Sequence, residues 1–258
     1  MIESLLKHDR KVVIACLVMV SLIAWAWMLA GAGMGMDGIE MTRHSLMNMD
    51  ATANQEWTFS YALLMFSMWW VMMIAMMLPS ASPVILLATG INQRSRSAVK
   101  PYGTAFAFAS GYLLAWAGFS IVAVAIQWWL GTNELINGML QSRSQVLSAG
   151  LLITAGIWQF TPWKQACLRH CRGPIAFLTR HRRNGNPGAL IMGAHHGLFC
   201  LGCCWFLMAL LFVGGVMNLI WIAGLAVYVW IEKALPGGLL TSRIAGALLI
   251  ILGVSILL

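Results

Sequence analysis

Apolar residues run through this chain in long unbroken stretches, separated by short polar or glycine-bearing punctuation. Seven stretches, at about 12–30, 59–79, 103–130, 145–162, 189–213, 218–235 and 239–258, fit the roughly 20 apolar residues that hydrocarbon about 30 Å thick asks of a helix. Lipid offers no water to unpaired backbone groups, and the runs are continuous rather than short and alternating. Helices are therefore predicted, not barrel strands. The expected fold is all-α: a polytopic membrane helical bundle with seven transmembrane helices, residues 1–258 forming a single integral membrane domain.

Composition strengthens this picture. Only 9% of the residues are charged, where a soluble domain carries roughly 25%. The net charge of +8 raises the question of nucleic acid, but its placement answers otherwise. With seven spans, fourteen basic residues fall on one side: Lys7, Arg10, Lys11, Arg94, Arg96, Lys100, Lys164, Arg169, Arg172, Arg180, Arg182, Arg183, Lys233 and Arg243. Only Arg43 and Arg143 fall on the other. Such a bias marks the basic side as cytoplasmic and puts the N-terminus there. The basic loop 163–188 is placed to meet anionic membrane lipid. No nucleic-acid partner is expected. The first run, with its basic flank and AWMLAGAG, has features of a secretory signal, but with the chain starting at Met1 it is expected to be retained as the first helix. None of the six cysteines falls in an outward loop, so no disulfide framework is expected.

The chemistry is sulfur-rich. Cys200, Cys203 and Cys204 stand at i, i+3 and i+4 in GLFCLGCCWFLM, one face of a helix. They lie 11 to 15 residues into their run, about 17–23 Å deep at 1.5 Å per residue. His196 comes one turn earlier and Met208 one turn after Cys204, extending the polarisable face. In the second run Met65, Met68, Met72 and Met76 fall within about 80° of one another, and Met73 and Met77 flank them. Methionine also fills gaps in ordinary cores, but so many where leucine packs as well point to soft-metal ligation. The two sulfur sets lie at similar depth and would face each other if their helices are neighbours. Pro79 and Pro83 are expected to break or kink the helix, with 80–90 a short, partly re-entrant piece.

Other candidates are weaker. The outward loop 31–57 holds Met34, Met36, Met41, His44, Met47 and Met49 and reads as exposed thioethers able to capture a soft cation. Cys167, His170 and Cys171 form C-x-x-H-C, which on one helical turn suits binding or exchange with a soluble carrier; without a second Cys/His pair it is not a zinc finger. Glu232 is an ionisable residue inward of the centre of its run and a candidate ligand, while Lys233 is expected to snorkel to the headgroups. Gln127 and Gln159 read as interfacial. Gly103, Gly111, Gly118, Gly150 and Gly156 read as close helix packing, GGVMN as a tight turn, and the last run as lipid-facing.

AMMLPSASP (75–83), KQACLRHCRGP (164–174) and the string from HGLFCLGCCWFLM through GGVMNLIW to EK (196–233) together resemble a bacterial family of integral membrane proteins of unknown function, predicted to bind metal. The resemblance covers the chain from about residue 60 onward. It implies a multi-pass protein of the bacterial inner membrane, with family-motif positions at Met76, Met77, Pro79, Cys167, Cys171, Cys200, Cys203, Cys204, Met208, Met217, Asn218 and Glu232.

The metal must be argued from the donors. Two thiolates leave Cu(I) at net −1 and Zn(II) neutral, and buried net charge is unfavourable, which favours zinc. Thioethers favour copper, since Cu(I) uses thioether and thiolate together whereas zinc gains little from methionine. The methionine excess decides for Cu(I), with zinc or another soft metal as runner-up. Two roles follow: a transporter, or a membrane metallochaperone supplying a cuproenzyme or exchanging with a soluble copper carrier. Neither is an enzyme. A second class is a membrane thiol–disulfide protein using Cys200 and Cys203, disfavoured unless a cation stabilises a thiolate there. A third is a non-catalytic subunit of a larger membrane complex.

Overall fold

A computed structural model describes residues 2–47, 57–93, 101–173, 178, 183, 185–235 and 238–258. Its helices, in chain order, are α1 (Ile2–Leu29), α2 (Gly38–Leu46), α3 (Phe59–Gln93), α4 (Pro101–Thr132), α5 (Gln145–Phe160), α6 (Pro162–Arg172), α7 (Gly185–Ala209), α8 (Leu211–Gly214), α9 (Leu219–Ala234) and α10 (Gly238–Leu257). All seven apolar runs are helical, and among the described residues there is no strand, only an isolated bridge between Ile136 and Ser142. Five segments are long and apolar enough to cross a membrane: Arg10–Leu29, Phe59–Ala88, Gly103–Thr132, Gly185–Gly214 and Gly238–Leu257. Helices α5 and α9 have 16 residues each, about 24 Å at 1.5 Å per residue, short of the hydrocarbon thickness. The sequence expectation of seven full spans is thus met in helix type at every run and in length at five.

The prolines do not break α3. A proline at position i lacks the N–H that would bond the carbonyl of i−4, so Pro79 frees Ala75 and Pro83 frees Pro79. Both carbonyls find side-chain donors: Trp25 Nε1 donates to the Ala75 carbonyl at 3.2 Å and Ser82 Oγ to the Pro79 carbonyl at 2.8 Å. With the orphaned acceptors satisfied, the helix continues to Gln93, and the expected re-entrant piece is simply more helix.

The described part of segment 31–57, up to Met47, contains a helix where a loop was expected. Asp37 caps α2 by accepting the Glu40 N–H at 2.7 Å, and Thr42 Oγ1 accepts the Leu219 N–H at 2.9 Å, docking α2 on the start of α9. Met41 is buried, and Met34 and Met36 pack against the core. Met47 is exposed, and Met49 lies outside the described residues. The expectation of a row of exposed thioethers fails because α2 turns Met41 inward. The GGVMN turn is as expected: Gly215 adopts φ +91°, and Asn218 caps α9 by accepting from the backbone N–H groups of Ile220 and Trp221.

Helix α4 is the centre of the packing. It lies against α7 on one side and α3 on the other, while α6 packs on α7 and α5 pairs with α10. Two of these crossings depend on missing side chains. A Cβ on Gly111 of α4 would stand 2.0 Å from the Leu190 carbonyl oxygen, and one on Gly193 of α7 would stand 1.9 Å from that of Phe108. Gly156 and Gly246 serve α5 and α10 in the same way, each meeting the other's backbone oxygen within 3.0 Å. Backbones that approach this closely gain van der Waals contact lipid cannot supply. Gly118 and Gly150 meet nothing within 4 Å, so those two expected packing glycines are not at contacts.

The glutamines are not interfacial. Gln127 and Gln159 are fully buried: Gln127 Oε1 accepts from Trp69 Nε1 at 2.8 Å, and Gln159 Oε1 accepts from Ser242 Oγ at 2.8 Å. A buried amide needs partners, and each found an indole or hydroxyl on a neighbouring helix. Ser242 is also the buried polar exception on α10, whose apolar side chains are otherwise largely exposed.

Candidate metal centre

The three cysteines of α7 are buried, Cys203 and Cys204 completely and Cys200 at 1% exposure. Each of the first two donates its thiol to the Cys200 carbonyl, at 3.0 and 2.9 Å. This is the back-bonding that a side-chain donor three or four residues on makes in a helix, and it holds all three sulfurs on one face. Helix α6 brings a fourth thiol. It begins with Pro162 after the Thr161 cap, and its buried face carries Leu168 and Cys171. Cys171 interacts by side-chain hydrogen bonds with Cys200 and Cys203. Cys167, one turn back and half-buried, packs on α7 beside that face rather than on it: a Cβ on Gly202 would stand 2.9 Å from its Sγ, and i and i+2 do not share a helix face. The C-x-x-H-C turn and the cysteine turn, read from sequence as separate stations, form one group graded in burial from Cys167 inward.

The two α6 thiols are held in their neutral form. Hydrogen bonds with Cys200 and Cys203, followed by burial, push Cys171 well above the usual thiol range. Burial, with Cys203 nearby, pushes Cys167 up. All six cysteines are free. Among the described residues, no set of three or more His, Cys, Asp or Glu stands arranged to hold a metal ion. The thiols are gathered as hydrogen-bonding partners; turning them into ligands requires loss of protons, as metal binding by cysteine does.

Sequence reasoning missed what surrounds Cys200. Tyr112 of α4 lies 3.1 Å from its sulfur while donating to the Met77 carbonyl at 3.3 Å. Lys233 of α9 donates to the same sulfur at 3.0 Å and to Ser80 Oγ at 3.1 Å. Lys233 therefore does not snorkel: it turns its ammonium inward onto a thiol. A signal was present, because adjacent residues on a helix point about 100° apart, so Glu232 and Lys233 must serve different neighbours.

Glu232 serves the other side. Its Oε1 accepts from Lys164 Nζ at 2.6 Å, both side chains fully buried, and from Tyr228 OH at 3.2 Å. Lys164 donates as well to Gln159 Oε1. The carboxylate proposed from sequence as a ligand is thus tied into an ion pair with a lysine that sequence reasoning had counted only as a topology charge. Its Oε2 has no hydrogen-bond partner among the described residues.

The remaining candidates fall into two groups. His196 is 2% exposed and lies against the rings of Phe108 and Tyr112, with centroids 6.0 and 5.9 Å away, one turn from Cys200. His170 stacks flat on Phe199 at 4.2 Å and donates from Nδ1 to the Ala166 carbonyl at 2.8 Å. Met72, Met73, Met76, Met77 and Met208 are all buried to 1% or less within the same apolar core as the cysteines. However, α3 packs mainly on α4 and α1, and α7 on α4 and α6. The condition on which the two sulfur sets would face each other, that their helices be neighbours, is not met by the main packing here. Tyr112 and Lys233 link them, through the Met77–Ser80 turn of α3.

With this geometry in hand, comparison with known proteins gives one match. Residues 66–256 fit the family described as PpoB2, copper chaperone. The match covers well over half of the chain, which therefore belongs to this family, and it accords with the metal-binding resemblance read from the motifs. No curated protein and no solved structure matches.

Proposed function

We propose that this member of the copper-chaperone family holds Cu(I) within the membrane and delivers it to an acceptor, a cuproenzyme or a soluble copper carrier. The observation that carries the reading is the convergence of Cys171 with Cys200, Cys203 and Cys204. Four soft donors in a dry, apolar setting suit a monovalent soft cation, and Cu(I) needs fewer ligands than the four that structural zinc takes. Zinc remains the runner-up metal. Cys167, at the half-buried rim, is the exchange thiol, and His170 beside it completes the rim. Met208 and the methionines of α3, Met72, Met73, Met76 and Met77, form a thioether reservoir at the back of the site. Glu232 acts structurally, through Lys164. The reading places the chain as one domain in a bacterial inner membrane, with α6 and its basic residues on the cytoplasmic side. It contains no catalytic step.

The test uses the purified full-length chain in detergent, loaded with Cu(I) under reducing conditions. Elemental analysis should find copper bound, and X-ray absorption should find a shell of sulfur alone. The Cys200→Ser/Cys203→Ser variant should fall to background copper; a variant that keeps its copper sinks the assignment.

One observation favours a second reading. A cation beside a thiol is what thiol–disulfide exchange requires, and Lys233 supplies one at Cys200. In that case Cys200 and Cys203 cycle between dithiol and disulfide, and the wild-type chain binds no copper in the experiment above.

A further inference from the structure

The charge of the cysteine site depends on Lys233, a residue that is not itself a metal ligand. Glu232 and Lys233 are neighbours in sequence, yet the carboxylate is taken by Lys164 on the far side of α9. Among the described residues, Lys233 donates only to Ser80 Oγ, a neutral group, and to Cys200 Sγ. The ammonium therefore enters the thiol cluster with no carboxylate to balance it. Tyr112, also on Cys200, is a neutral phenol at 3.1 Å.

We infer that Lys233 is the residue that fixes the site's preference for a monovalent over a divalent cation; the inference rests on the proposed Cu(I)-holding role. Binding metal through two cysteines places two negative charges on sulfur. With Cu(I) alone the buried centre carries one net negative charge, and with Zn(II) none, which is the objection that charge arithmetic raised against copper. The Lys233 ammonium reverses the balance. Two thiolates, one ammonium and Cu(I) sum to zero, whereas the same set with Zn(II) carries a net positive charge in a medium where uncompensated charge is strongly disfavoured. The same charge explains how two thiolates can lie so deep without a second cationic ligand.

The experiment compares the purified full-length wild type with Lys233→Met and Lys233→Arg, titrating Cu(I) against a colorimetric chelator and Zn(II) against a fluorescent one. Lys233→Met keeps a similar length and removes the charge. It should lower the Cu(I) affinity by about a hundredfold and leave Zn(II) affinity equal or higher, shifting the ratio of the two by at least that factor. Lys233→Arg should retain the wild-type ratio. Tyr112→Phe removes a neutral partner from the same sulfur and should weaken both metals alike. If Lys233→Met does not survive purification, Lys233→Gln replaces it with the same expectation. An unchanged Cu(I)-to-Zn(II) ratio in the neutral variant, or an equal shift from Tyr112→Phe, overturns the inference. Failure of the wild type to bind Cu(I) at all overturns the copper role itself, a separate result.

Discussion

The lysines decide more here than their number suggests. Sequence patterning treats Lys164 and Lys233 as topology charges at the ends of apolar runs, and both are turned inward instead. Beyond the adjacency of Glu232 and Lys233 nothing local announces this, and only the three-dimensional meeting of α6 with α9, and of α9 with α3 and α7, gives them partners. The cysteine turn, by contrast, was legible from spacing alone, because i, i+3 and i+4 always share a face. The Lys164–Glu232 pair supports a direct expectation. Removing one partner strands a buried charge, so Lys164→Met or Glu232→Leu alone should destabilise the fold by about 3–5 kcal/mol. Combining the two should restore most of that loss. Denaturation of the detergent-solubilised chain, followed by circular dichroism, reads both outcomes; additive losses in the double variant would show that the pair is not a coupled unit.

Helix type was readable throughout, since long apolar runs in lipid have one backbone solution. Helix ends and neighbours were not. The prolines of α3 misled because the rescue of their orphaned carbonyls comes from Trp25, fifty residues away, and from a serine that looks unremarkable in the motif. Matching depth left the adjacency of α3 and α7 open, and α4 packs on both because Gly111 and Gly193 let α4 and α7 approach until backbone meets backbone. Depth fixes a level in the bilayer and says nothing about bearing around the bundle. The glycines make this crossing testable. Gly193→Ala places a methyl carbon 1.9 Å from a backbone oxygen, which only a shift of one helix can relieve. It should lower stability by on the order of 1–3 kcal/mol and reduce copper retention with it, since Tyr112 would be moved from Cys200. Gly118→Ala, at a position with open space, should change neither melting temperature nor copper content.

As a whole, the molecule gathers its thiols and inward charges on one flank of an apolar bundle: α6 and α7 supply five thiols, α6 and α9 the two inward lysines and Glu232, and the late part of α3 the Ser80 hydroxyl beside Lys233. The proposed orientation puts that flank on the cytoplasmic side. Reporter domains fused after Arg143 and after Arg169 should then signal from opposite sides of the membrane, and the same side for both would break the seven-pass arrangement. The pairing of Lys164 with Glu232 also has a consequence for biosynthesis. Helix α9 has 16 residues and carries an acid and a base near one end, so it is a poor substrate for insertion by itself; a charged residue at mid-helix opposes membrane entry by about 2.5–3.5 kcal/mol. Among the described residues its carboxylate is paired with a lysine 68 positions earlier, on a helix already synthesised. Insertion of α9 is therefore expected to depend on α6, and on the proposed reading the cysteine turn of α7 is made before the lysine that stands beside it.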